Sequence, residues 1–309
     1  CEPVPNFSNG LLDCGSAHLD NVTLCLHQAL LPDVVPPQLD LSTIPIGRES
    51  GEFAWPTYAL WMGYTYFLRG EYQHALAALE ESRQIFADLG SQWGQAFALS
   101  KMGLAADGLG DYSLAMQFHR QALAMFERSE HKVGQAYTLS RMSVDAYGLE
   151  AYKEAADLAQ AASAIFLELS HRWGTCVSWC RLGFAAVGLG DLAEAERCCC
   201  DALQLAWDSQ IVPLTLYALA GLACAAARQG AKARAMKLLS LVQQHPQMPA
   251  LYLDLTSRWL AGVIEQADEA VSETRTSPDC LPPIVAIVEQ ILDDTTASGE
   301  CPAPQRGLS

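Results

Sequence analysis

The sequence predicts an all-α fold: a right-handed superhelical solenoid of five helical hairpins with a helical C-terminal cap. Three observations predict it. Gly70, Gly110, Glu150, Gly190 and Gly230 recur every 40 residues, and so do Ala75, Ala115, Ala155, Ala195 and Ala235. Gly63, Gly103, Ser143, Gly183 and Ala223 form a third column in which every side chain is small. Self-similarity at such a period marks a repeat architecture, whose units bury their apolar faces by stacking on one another. Hydrophobic residues make up 50% of the chain, ample for a core. Alanine is abundant and β-branched residues are sparse in the middle, which favours helix over strand.

Residues 1–54 show no clear repeat and read as an irregular N-terminal arm. A helix is expected over Asn21–Leu31, and four prolines make Pro32–Arg48 a loop or packed arm. The chain begins with Cys1 rather than Met, which predicts a piece of a longer protein; a lipid-bearing processed terminus is the other reading. The array is expected over residues 55–242. Its second unit shows the pattern. Trp93 to Leu109 carries Phe97, Leu99, Met102 and Leu104 at helical spacing. Gly110 follows, where a helix ends most cheaply in a left-handed residue, and Asp111 is placed to cap the next helix. Tyr112 to Arg128 is that second helix. Glu150 breaks the glycine column, and Gly148 is expected to take that turn instead.

The small columns let the two helices of a hairpin approach closely, and Ile85-Phe86, Met125-Phe126 and Ile165-Phe166 supply bulk where the next unit docks. Beyond the array, His245–Pro249 is a break. A helix is expected from about Leu251 to Val271, and a short one from Pro282-Pro283 through Leu292. Together these make residues 243–294 a set of capping helices. Residues 295–309 are small, polar and proline-containing, and read as a disordered tail.

The balance of 19 Lys+Arg against 35 Asp+Glu gives a formal charge of −16. That argues against nucleic acid or an anionic membrane surface as partner. The stretch Ile211 to Ala227 is apolar but interrupted by Pro213 and too short for a span across hydrocarbon. Eleven cysteines, several adjacent, are easier to keep reduced in a cytoplasm than to pair correctly outside it.

Leu99, Met102-Gly103, Gly110-Asp111-Tyr112, Ala115 and Ala122 fit one pattern, and Trp179, Leu182-Gly183, Gly190-Asp191-Leu192, Ala195 and Ala202 fit it again. The pattern resembles tetratricopeptide repeats. The usual unit of that family is about 34 residues. The longer spacing here is similar to the variety found in maltose-regulator-type transcription activators and bacterial signalling ATPases. Ala235 to Pro246 and the segment after it are also similar to the C-terminal ends of bacterial multidomain regulators. No phosphate-binding Gly-x-x-x-x-Gly-Lys-Ser/Thr loop occurs in the chain.

The candidate site follows from the resemblance, which implies that first helices line a concave face. By position that face carries Tyr64, Phe97, Tyr137, Tyr147, Phe184 and Tyr217, beside a cationic column of Lys101, Arg141 and Arg181. The functional reading is an apolar, aromatic groove with a cationic edge, suited to a protein or peptide partner. The bland reading is a tightly curled solenoid that buries these residues, with the cations paired to nearby acids. The clamp of the chaperone-binding subfamily is not matched, because Ser, Cys, Leu and Phe stand at its positions.

Cys176, Cys180 and Cys198 to Cys200 fall on one hairpin but lack ligand spacing, so no metal and no cofactor is expected. His119, His131, His171 and His245 form no catalytic constellation by sequence. The reading is a non-catalytic binding module, the sensor or scaffold arm of a larger bacterial signalling or transcriptional regulator. The alternatives are a free-standing adaptor or self-associating scaffold, and, third, an enzyme.

Overall fold

The computed structural model describes residues 54–245 and 284–298. The N-terminal arm and the expected helix over Leu251 to Val271 lie outside the described residues. Ten helices form five consecutive hairpins: α1 (Ala54–Leu68), α2 (Tyr72–Asp88), α3 (Gln92–Gly108), α4 (Tyr112–Arg128), α5 (Lys132–Gly148), α6 (Tyr152–Glu168), α7 (Arg172–Leu189), α8 (Leu192–Asp208), α9 (Val212–Arg228) and α10 (Lys232–Gln244). An eleventh, α11 (Ile284–Ser298), packs on α8. It extends past Leu292 into the segment expected to be a tail, because the first helix breaker after Pro283 is Gly299. No strand occurs among the described residues.

The cadence is finer than the 40-residue columns indicate. A left-handed residue ends the helix at every twentieth position from 70 to 230: Gly70, Gly90, Gly110, Glu130, Glu150, Ser170, Gly190, Gln210 and Gly230. Each turn carries the same pair of backbone bonds. At the α3–α4 turn Gly110 N–H donates to the Asp107 carbonyl at 2.8 Å and Asp111 N–H donates to the Ala106 carbonyl at 3.0 Å. This is a Schellman ending, which satisfies carbonyls a helix terminus leaves open. Glu150 itself holds the left-handed conformation, with φ of 60°. The expectation that Gly148 takes this turn is therefore wrong. Gly148 lies inside α5, where a Cβ would come within 2.6 Å of the Tyr112 ring.

Side-chain caps complete many junctions. The Asp111 and Asp191 carboxylates accept from Leu114 N–H and Glu194 N–H at 3.0 and 3.1 Å. At two junctions the cap is a histidine: Nδ1 of His131 and of His171 accepts from Gly134 N–H and Gly174 N–H at 2.9 and 3.0 Å. Phe126 and Phe166 are buried at the ends of second helices. They fill the space left by Gly134 and Gly174 at the start of the next first helix. The expected bulk column thus docks into a glycine column.

First helices pack on one another as well as within their hairpins: α1 on α3, α3 on α5, α5 on α7, and most extensively α7 on α9. Second helices lean chiefly on first helices. The first helices therefore form the inner layer. Burial deepens along it, and in α9 every residue from Leu214 to Ala226 is buried.

Candidate partner-binding groove

Because equivalent first-helix residues stand 40 apart, each inner-layer column continues from one helix to the next. The expected site residues divide into two groups. Phe97, Lys101, Tyr137, Arg141 and Tyr147, on α3 and α5, are partly buried and keep surface on the inner layer. Arg181, Phe184 and Tyr217, on α7 and α9, are 5%, 1% and 0% exposed. These three belong to the core instead of an open face, which corrects the sequence expectation for them. The reason is the close packing of α7 on α9, the most extensive between first helices. Phe184 and Tyr217 face each other there with ring centroids 5.4 Å apart.

In the open half, the aromatic rings are held from behind. Phe97 lies 4.9 Å from the Trp93 ring and edge-on to Phe126 at 6.3 Å. Tyr137 meets Phe166 edge-on at 5.0 Å, and its hydroxyl lies 3.3 Å from His171 Nε2. Since His171 Nδ1 already accepts a hydrogen bond, the neutral ring carries its proton on Nε2 and donates it to the Tyr137 oxygen. Tyr147 packs edge-on to Tyr152 at 5.1 Å. Burial raises its phenol well above the ordinary range.

The cations do not act as one column. Buried Arg181 donates from Nη1 to the Ser140 carbonyl and, at 2.6 Å, to the Ser140 hydroxyl. It ties α7 to α5. Lys101 Nζ sits 4.3 Å from the centre of the Tyr64 ring and 5.9 Å from that of Phe97. Desolvation, and secondarily the positive charge of Arg141, lower its pKa to about 8. Arg141 Nη1 is buried without a hydrogen-bond partner. Neither Lys101 nor Arg141 forms an ion pair among the described residues.

Sequence reasoning missed a buried polar link below the groove. His119 Nδ1 and Asp145 Oδ2 are 2.6 Å apart, both side chains essentially without solvent contact, and His119 Nε2 lies 3.3 Å from the Ser100 carbonyl. The signal was present. His119 interrupts a column that otherwise reads Leu79, Ala159, Cys199 and Leu239, and Asp145 interrupts one of Ala105, Ala185 and Ala225. Two polar residues at core columns of adjacent helices point to a pair. Gly103 leaves room for the ring, since a Cβ there would clash with its Nε2, Cδ2 and Cε1 atoms.

The cysteines are core residues. Cys176, Cys180, Cys198, Cys199, Cys200 and Cys224 are all buried as free thiols. Burial pushes Cys198 and Cys224 up to about 12 and Cys199 well above its ordinary value, so these thiols stay protonated. No group of three or more potential ligands is arranged for a metal ion among the described residues. No helix among them is long and apolar enough to cross a membrane.

Comparison with known proteins agrees with this architecture. A tetratricopeptide-repeat family model matches residues 56–128, which span the first two hairpins. No curated protein sequence matches the chain. Among solved structures, TPR-like repeats from Podosopora anserina described as kinesin light chain are 18% identical. They align over 60% of this chain and 92% of theirs with a TM-score of 0.50. Aspartyl phosphate phosphatase F from Bacillus subtilis is 14% identical over 80% of this chain and 61% of its own, with a TM-score of 0.55. The apo form of RapI is 13% identical over 79% and 84%, with a TM-score of 0.52. The family match is confined to residues 56–128, and together with these structural likenesses it shows a tetratricopeptide-like solenoid of helical hairpins.

Proposed function

We propose that this chain is a non-catalytic binding module that takes a protein or peptide segment along the inner faces of α1, α3 and α5. One observation carries the reading: in this half of the inner layer, aromatic rings and two cations keep open surface, while the equivalent residues on α7 and α9 are packed away. Rigid aromatic residues backed by a second ring, as Phe97 and Tyr137 are, lose little entropy on contact and serve as anchors. The shared solenoid supports an interaction role, because stacked hairpins present long surfaces to partners. The solved neighbours have unlike names, which fits a fold whose function resides in the lining of its surface. In the fuller reading the chain is the sensor or scaffold arm of a larger bacterial signalling or transcriptional regulator in the cytoplasm, and its partner is neither nucleic acid nor membrane.

Photo-crosslinking tests the surface. Benzoylphenylalanine replaces Tyr137 in one variant and exposed Lys237, on α10, in another. The expected result is a discrete crosslinked partner from position 137 and none from 237. Equal crosslinking at both, or capture from 237 alone, overturns the groove.

A further inference from the structure

A second surface lies outside the groove, along the edge where each first helix turns into its partner. Leu109, Leu149 and Leu189 close α3, α5 and α7, and are 41%, 46% and 53% exposed. Leu68, at the neighbouring position of α1, is 50% exposed. Half of the exposed large apolar side chains among the described residues thus stand in one line. Tyrosines fill the gaps. The Tyr112 ring seats on Gly148 beside Leu149, and the Tyr152 ring on Gly188 beside Leu189, where a Cβ would come within 2.6 and 2.4 Å of the rings. Both rings are partly buried. The ridge stops at the fifth hairpin, where Arg228 and Gln229 replace the glycine and leucine. The turns do not need these leucines. Leu109 N–H donates to the Ala105 carbonyl, and Ser129 and Ser209 make the equivalent bond at the turns between hairpins. An aligned apolar surface that the fold does not require marks a contact with a partner. Acids border it. Asp111, Glu150 and Asp191 follow the three leucines by one or two residues, are exposed, and form no ion pair among the described residues. Asp111 and Asp191 cap helices with one oxygen each and keep their charge. Against them stand exposed Lys153 and Arg69, the latter paired with Glu71.

We propose that this leucine ridge docks a basic amphipathic helix of another protein, laid across the hairpins with its apolar residues at heptad spacing. The spacing follows from the stacking. Packed helices lie about 8–10 Å apart, which sets the step from one leucine to the next. Seven residues of an α-helix rise about 10.5 Å, so one apolar residue per heptad meets one leucine per hairpin. Residues three or four positions on fall between the leucines, over the tyrosines. Charge selects the occupant. Residues 1–53 and 246–283 each hold more Asp and Glu than Lys and Arg, and a second copy carries the same charge of −16. Neither brings the sign that Asp111, Glu150 and Asp191 call for. Lys and Arg on the flanks of a foreign helix do, and rim charges of that kind steer and orient an encounter.

The test is fluorescence anisotropy on the intact chain with a labelled synthetic helix of about 18 residues, long enough to span three leucines. Its heptads carry leucine at the a and d positions, with lysine and alanine elsewhere. One control peptide scrambles the order and another replaces lysine by glutamate. The chain should bind the probe about tenfold or more tightly than either control. The Leu109→Gln/Leu149→Gln/Leu189→Gln variant should lose that preference, while Leu167→Gln/Leu169→Gln, at the other edge, should keep it. The Asp111→Asn/Glu150→Gln/Asp191→Asn variant retains its caps and should bind the probe more weakly than the parent. Circular dichroism checks each fold, and Leu149→Gln alone serves if the triple leucine variant does not fold. Equal binding of ordered and scrambled peptides, or a preference that survives the leucine variant, overturns the ridge. Undiminished binding by the charge variant overturns the basic partner. A parent dimer in sedimentation equilibrium that the leucine variant dissociates puts a second copy on the ridge instead. Binding of none of the peptides overturns the proposal as a whole.

Discussion

Gly110 and Glu150 share one backbone conformation, with φ of 78° and 60°, but only Gly110 has the residue type that adopts it freely. A Cβ at Gly110 would meet nothing within 4 Å, so substitution there tests conformational strain without a clash. Gly110→Val should lower stability by about 1–2 kcal/mol. Glu150→Gly should raise it by up to about 1 kcal/mol, since strain is relieved at the cost of a more disordered unfolded chain. Denaturant melts check both; effects of equal size and sign would show that the left-handed residue is not what limits these turns. Gly110 was legible as a turn from the period alone, while Glu150 was not, because a Schellman ending tolerates a non-glycine residue that its two backbone bonds hold in place. The His119–Asp145 pair was hidden differently. Each residue is unremarkable along its own helix, and only the comparison of equivalent positions shows that both stand where neighbouring repeats put an apolar side chain.

At the scale of elements, helix limits were read most securely where a glycine and an acid mark the turn. The expected Tyr112 to Arg128 is the observed α4. Turns without those signals, such as Glu130-His131 and Ser170-His171, hold the same geometry through backbone bonds and a histidine cap. That cap has a pH consequence. His171 accepts through Nδ1, so protonation removes the acceptor and places a cation at a positive helix end. Desolvation lowers its pKa below the ordinary 6.5. A lowered value for a base means that the unfolded chain takes up the proton first. Stability contributed by the neutral ring is therefore full above pH 6.5 and declines as pH falls from there to the folded-state value. The His171→Asn variant, which keeps a cap without titrating, should show a shallower loss of melting temperature over that interval than the parent. An identical slope would assign the acid sensitivity elsewhere.

Across the described array, burial increases toward the C-terminal end. One continuous cluster joins α7, α8, α9, α10 and α11, whereas the aromatic cluster of α1 to α4 leaves several of its rings part-exposed. Repeat arrays open locally, because each unit contacts only its neighbours. Hydrogen exchange followed by mass spectrometry should find the slowest amides in α9, whose side chains are buried from Leu214 to Ala226, and faster exchange in α1 and α2. Uniform protection would mean a single cooperative unit. The solenoid was legible in the sequence because stacking repeats its constraints at every period. The open and closed halves of the inner layer were not, because residues equivalent by position differ in burial with how tightly their own helix and the next approach. Val177 and Tyr217 stand in the column of Phe97 and Tyr137, yet only the latter two keep open surface.

The even cadence of helix and turn also governs how such a chain can change length. Equivalent cuts, for instance after Gly90 and after Glu130, fall inside identical backbone joints, and the glycines that receive Phe86, Phe126 and Phe166 recur in step with them. An in-frame duplication or deletion of one whole hairpin between such cuts rebuilds every joint and lengthens or shortens the inner surface by one rung. A shift of one residue within a helix has the opposite effect, because it turns each following side chain by about 100° around the axis and carries the whole core of that helix out of register. The lineage of such a molecule is thus free to count in hairpins and barred from counting in residues.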